Sequence, residues 1–145
     1  MQRRQAALEF SRSRRYGPGL VQKPPAHQFG FVRTIYKICP ASAWREAERQ
    51  GVYRGSPDDT RDGFIHFSTG AQVGETARKH FFGQKALFLI EVDADALGGA
   101  LRWERSRNNE LFPHLYGELD LGAVRAVLYT HARSDGTHDI PELKP

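Results

Sequence analysis

From residue 34 onward the chain alternates short apolar runs with polar breaks marked by glycine, and the period of each run assigns its element. Residues 34–39 (TIYKIC) predict a strand with Ile35 and Lys37 on one face and Tyr36 and Ile38 on the other. A lysine among those apolar neighbours makes Lys37 conspicuous. Pro40 precedes a helix over residues 41–50, with Trp44 and Ala47 facing inward and Gly51 as its stop. Residues 52–55 predict a short extended piece. Residues 56–62 (SPDDTRD) predict a polar surface loop in which Asp58, Asp59 and Asp62 are solvated turn residues.

The next stretch, residues 63–69 (GFIHFST), holds one histidine and two hydroxyls. Gly63 breaks the chain, and Phe64, Ile65 and Phe67 are strand formers, so residues 64–68 predict one short buried strand. Thr69 and Gln72 have capping-box spacing, and Val73, Thr76, Ala77, His80 and Phe81 share one helical face before Gly83, which predicts a helix over 70–82. His66, Ser68 and Thr69 are thus expected where a strand ends and a helix N-terminus begins, a position that favours phosphate or carboxylate. The competing reading makes Ser68 and Thr69 caps and His66 a satisfied core histidine.

Residues 86–92 (ALFLIEV) form a continuous apolar run, expected to be a strand buried on both faces, and residues 93–97 a turn of helix. Residues 101–104 (LRWE) predict a strand, residues 105–110 a loop, and residues 111–117 (LFPHLYG) an extended segment that Pro113 confines to an edge or a bend. Residues 124–131 give the last strand. Helices early and closely spaced strands late make this an α+β chain, because the late strands leave no room for crossover helices.

Composition changes the picture in one respect. Residues 1–33 carry seven Lys/Arg against Glu9, a net of +6, whereas the other 112 residues carry 14 basic and 16 acidic groups, a net of −2. The basic character therefore belongs to an N-terminal arm, which is too polar and too rich in Gly and Pro to order itself, and residues 34–145 form one α+β domain. A slightly acidic domain argues against nucleic acid as its partner. Cys39 is the only cysteine, so no internal disulfide forms and a reducing cytoplasm is the expected location. No apolar run approaches the roughly 18 residues that cross a bilayer, so no membrane partner is expected.

Candidate chemistry gathers in three clusters: Lys37 with Tyr36; His66 with Ser68 and Thr69; and Glu104 with His114 and Tyr116. The histidines lack metal-ligand spacing, so no metal is expected. Glycine-rich dinucleotide and phosphate-loop motifs are absent, as is a nucleophile elbow. Glu104 lies beside Trp103, where partial desolvation strengthens its interaction with a developing positive charge; its competing use is an ion pair with Arg102, Arg105 or Arg107. His114 and Tyr116, two apart, project from the same side of their segment.

The combination of TIYKI, a helix containing Trp44, GFIHFST, EVD, RWE and FPHLYG resembles the bacterial family catalogued as domain of unknown function 952, over roughly residues 34–143. That family resembles the ADP-ribosyltransferase-like fold, whose members bind or cleave NAD in a cleft between two small antiparallel or mixed sheets. The resemblance implies a cleft for a nucleotide-like ligand, with NAD as a substrate and ADP-ribosyl transfer or NAD cleavage as the reaction. It casts Glu104, with Glu110 in reserve, as the carboxylate near the ribose and His66 as its catalytic companion. Lys37, Ser68, Thr69, His114 and Tyr116 become ligand-binding residues. An ammonium at Lys37 suits a phosphate better than a cationic leaving group. The alternative is a non-catalytic module that binds a metabolite or a protein; a third reading, chemistry on RNA 2′-phosphates, would call for an arginine cluster.

Overall fold

The computed structural model describes residues 32–145. The arm expected over residues 1–33 lies outside them except for its last two positions. In chain order the elements are β1 (Thr34–Pro40), α1 (Ala41–Gln50), β2 (Val52–Tyr53), α2 (Pro57–Asp62), β3 (Ile65–His66), β4 (Ser68–Thr69), α3 (Val73–His80) and β5 (Leu87–Asp93). There follow a 3-10 segment (Ala94–Ala100), β6 (Leu101–Arg105), β7 (Leu111–Leu115), β8 (Leu119–Asp120), β9 (Val124–Tyr129), β10 (His131–Ala132) and β11 (His138–Asp139). The architecture is α+β, with several small antiparallel sheets.

The larger sheet has the order β4-β1-β5-β9, and the smaller the order β3-β7-β6. Because side chains alternate across a strand, β1 serves two cores. Ile35 and Cys39 join Trp44 of α1, Ile90 and Val92 of β5, and Leu115 of the smaller sheet. Tyr36 and Ile38 face the other way and pack with Leu87, Leu89 and the inner face of α3, Val73 and Ala77. Lys37 shares its face with Ile35 and Cys39 and is 8% exposed, so its ammonium enters a core.

Five segments depart from the expectations. Residues 56–62 are not a loop: Ser56 accepts a hydrogen bond from the Asp59 backbone N–H, Asp59 accepts one from the Ser56 N–H, and Pro57 starts the helix α2. Residues 64–69 are not one strand running into a helix. They divide between the sheets: Ile65 and His66 pair with Leu115 and His114 of β7, while Ser68 and Thr69 pair with Tyr36 and Ile35 of β1. Phe67 is the crossing point, its N–H donating to the Pro113 carbonyl at 2.9 Å. The helix that follows begins only at Val73 and ends at His80, and of the expected capping box only the bond from Thr69 N–H to Gln72 Oε1 forms, at 3.0 Å.

Pro113 sits on the central strand of the smaller sheet, not on an edge. Its register partner is Trp103, and its carbonyl faces Phe67, where β3 has already ended. The amide hydrogen that proline lacks would point to that same side, so the one bond forgone is the reciprocal of the Phe67 bond, at the end of the β3–β7 ladder. The final expected strand, 124–131, stops at Tyr129, because Thr130 turns inward to bond the Leu87 carbonyl and His131 starts the β10–β11 hairpin.

Candidate functional site

The two sheets and α2 enclose a cavity of about 260 Å³. Lys37, Asp59, His66, Ser68, Arg107 and His114 all line it. Its organising residue is Asp59, 3% exposed at the first turn of α2. Lys37 Nζ lies 2.8 Å from Asp59 Oδ2, and His66 Nδ1 lies 2.6 Å from Asp59 Oδ1, to which the His66 backbone N–H also donates at 3.1 Å. Gly55 makes room for this carboxylate: its φ is +106°, and a Cβ there would stand 2.8 Å from the Asp59 Cβ.

Burial alone raises the Asp59 pKa, yet the hydrogen bond from His66 and the charge and hydrogen bond of Lys37 outweigh it, holding the carboxyl well below the usual range. Asp59 is therefore an anion at the base of the cavity. On the other side of the imidazole, His66 Nε2 lies 3.0 Å from Asp62 Oδ2, whose carboxylate is one-third exposed. Asp58 and Asp62 are exposed as expected; Asp59 is not, and its expected place as a solvated turn residue is corrected here.

His114 is the register partner of His66 across β3 and β7, and the two rings are 5.4 Å apart. Phe64 stacks on His114 at 4.1 Å. Glu104, on the neighbouring β6, lies 2.8 Å from His114 Nδ1 and accepts from the Tyr116 hydroxyl at 2.8 Å. Burial pushes the His114 pKa down although Glu104 opposes it, so at neutral pH the ring is uncharged and donates from Nδ1, which leaves Nε2 as an acceptor. Burial raises the Glu104 carboxyl, but its two hydrogen bonds prevail and lower it.

A second polar chain crosses the opposite wall. Arg107 donates from Nη2 to Thr76 Oγ1 at 3.1 Å, and Thr76 Oγ1 lies 3.0 Å from Ser68 Oγ. The Arg107 guanidinium is centred 4.9 Å from the Phe112 ring.

The expected clusters thus meet unequally. Lys37, His66, Ser68 and His114 line one cavity, whereas Glu104 and Tyr116 lie behind His114 and Glu104 reaches the cavity through it. Thr69 is buried in β4 and is not part of the lining; Glu110 lies farther off, 3.3 Å from the Gln72 amide. The helix N-terminus is not an open anion site either, because Gln72 fills the Thr69 N–H and a Cβ on Gly70 would lie 2.2 Å from the Lys144 carbonyl oxygen. Asp59, Asp62, Thr76 and Arg107 were not foreseen as site residues. Ser56 and Asp59 carry capping-box spacing, a signal that could have located α2 and its buried carboxylate.

Among the described residues no group of three or more His, Cys, Asp or Glu is placed to hold a metal, and no helix is long and apolar enough to cross a membrane. A search of curated proteins finds no match. Among solved structures, the crystal structure of protein CC0527 from Caulobacter crescentus is 43% identical, with a TM-score of 0.71, covering 73% of this chain and 93% of that one. The solution structure of CC0527 is 44% identical with a TM-score of 0.65, covering 72% and 90%. A family model matches residues 38–127, from within β1 to within β9, which takes in every polar residue placed around the cavity except Lys37, one position before its start, and the chain therefore belongs to the family described as protein of unknown function (DUF952).

Proposed function

We propose that the cavity binds a nucleotide-like ligand, with the ribose against His66 and Asp62. The observation that carries this reading is the buried Lys37–Asp59 pair beneath His66. Two charges taken out of water rarely repay their desolvation in stability, so a paired ammonium and carboxylate at the base of a cavity point to use at that cavity. Asp59 fixes the His66 ring from its Nδ1 side, and Asp62 offers a partly exposed carboxylate beside it, a pairing suited to vicinal sugar hydroxyls. Phe67, Phe81 and Phe112 supply apolar wall for a ring.

The finer form of the proposal is an ADP-ribosyltransferase-like domain that takes NAD as substrate, for which two small sheets meeting at a polar cavity are the structural support. The glycosidic C–N bond breaks, and nicotinamide leaves neutral with the bonding pair. The Asp62 carboxylate stabilises the oxocarbenium charge, and an acceptor hydroxyl or water forms the new C–O bond and passes its proton to His66. Glu104 acts through His114, whose Nδ1–H it holds.

One observation favours a second reading. Asp62 already occupies His66 Nε2, the nitrogen a base would use, and this suits binding without turnover. Thermal unfolding with NAD, ADP-ribose, nicotinamide mononucleotide and nicotinamide, together with an assay of nicotinamide release, tests both. A ligand at 100 times its Kd adds about 2.7 kcal/mol of stability. The expected result is an upward shift in Tm that H66A and D62N reduce. A shift without nicotinamide release selects the binding module, and no shift with any of the four at millimolar concentration sinks both readings.

A further inference from the structure

Three cations line the cavity, and they are not equally satisfied. Lys37 has Asp59 at 2.8 Å, and Arg61 has Asp58 and Asp62 at 3.1 Å each. Arg107 differs: its carboxylate neighbour, Glu75, stands 3.7 Å from Nε, beyond hydrogen-bond distance. That Nε is fully buried and makes no hydrogen bond. Glu75 is moreover shared with Arg78 at 3.5 Å and Lys79 at 3.9 Å, so this corner carries excess positive charge. A buried guanidinium N–H left without an acceptor is costly, and an anion held in the cavity that Arg107 lines would balance the unmatched charge.

The hydroxyls beside it extend the same site. Arg107 donates into Thr76 Oγ1, whose own proton goes to the Gln72 carbonyl at 3.1 Å, so Ser68 Oγ donates to Thr76 until a bound oxyanion turns its hydroxyl into the cavity. Ser68 is two residues from His66, so the donor corner and the His66–Asp62 corner belong to one continuous wall. The cavity is smaller than the roughly 300–1,000 Å³ of pockets that enclose whole drug-sized ligands. It suits one phosphate and one sugar, and a dinucleotide would leave its other half outside.

Resting on the nucleotide-like reading above, we infer that Arg107, Thr76 and Ser68 form a phosphate subsite, and that the ligand is a ribose bearing a single 5′-phosphate, either as a mononucleotide or as the free sugar phosphate. Recognition of NAD then runs through its nicotinamide mononucleotide half, and the adenylate adds little.

Titration calorimetry on the full chain tests this with nicotinamide riboside, nicotinamide mononucleotide, NAD, ribose 5-phosphate and inorganic phosphate. The expected result is that the mononucleotide binds at least tenfold more tightly than the riboside and within about threefold of NAD. R107Q should bring mononucleotide and riboside to parity, with R107K retaining part of the difference, and T76V should weaken only the phosphorylated ligands. Ribose 5-phosphate matching the mononucleotide identifies the free sugar phosphate as the source, and a tighter mononucleotide identifies the nucleotide; both support the subsite. A riboside as tight as the mononucleotide overturns the subsite and leaves the nucleotide-like reading standing, whereas no binding by any organic ligand overturns both. If R107Q fails to fold, the wild-type series and R107K still decide.

Discussion

Asp59 Oδ2 lies 2.8 Å from Lys37 Nζ, joining a carboxylate on the first turn of α2 to an ammonium in the middle of β1. Both side chains are buried, and each accounts for the other's presence. The same carboxylate holds the ring of His66 and the N-terminus of its own helix, so one side chain ties β1, α2 and β3 together.

Removing Asp59 should therefore cost far more than an ordinary surface change. D59A leaves Lys37 buried and unpaired and is expected to destabilise the fold by about 3–5 kcal/mol, read as a shift in the urea midpoint. The double variant K37M/D59L should lose less than the sum of K37M and D59L. Strict additivity would show that the two groups do not interact.

The acid limb of the stability curve should depend on the same residue. The Asp59 carboxyl sits well below its usual range in the folded state, and in the unfolded chain it returns to about 3.9. The unfolded chain then binds the proton more tightly, so this contribution is complete above pH ~5 and is lost as the pH falls toward the folded value. Urea midpoints of wild type and D59N, measured from pH 7 downward, should converge. A constant gap would remove Asp59 as the source of acid sensitivity.

His114 should titrate below an ordinary histidine, because burial disfavours its charged form and Glu104 only partly compensates. Its unfolded value, near 6.5, exceeds the folded one, so it stabilises above pH ~6.5 and costs stability as the pH drops below that. NMR titration of the imidazole should show the low value in wild type and a further decrease in E104Q. An increase in E104Q would contradict the Nδ1–H bond to Glu104.

Gly70 reports on the C-terminal segment. Lys144 N–H donates to the Tyr36 hydroxyl at 3.0 Å, and Lys144 Nζ lies 3.2 Å from the buried carboxylate of Glu91. G70A places a methyl against the Lys144 carbonyl oxygen and should free residues 142–145. Faster amide exchange at Lys144 and a loss of about 1–3 kcal/mol, the cost of an unsatisfied buried group at Glu91, are expected. Unchanged exchange would mean the segment accommodates the methyl.

The sequence by itself determined those elements whose signals are local. The β1 alternation, the α1 stripe with its Gly51 stop, and the apolar run of β5 depend on neighbours within one or two turns, and each appears within a residue of its expected place. The grouping of Glu104, His114 and Tyr116 was also visible, since β6 and β7 are adjacent in sequence and pair so that Glu104, opposite Phe112, reaches His114 on the diagonal.

Tertiary structure decided the rest, because it rests on contacts between distant parts of the chain. Nothing within a few residues of Phe67 requires the backbone to pass from one sheet to the other; the Pro113 carbonyl and the edge of β1 impose that crossing. An aspartate in SPDDTRD reads as solvent-facing until a lysine 22 positions earlier is placed against it. Pairing, not polarity, decides whether a charge is buried, and the partners of Lys37 and Arg107 are fixed only when the two sheets close over the cavity.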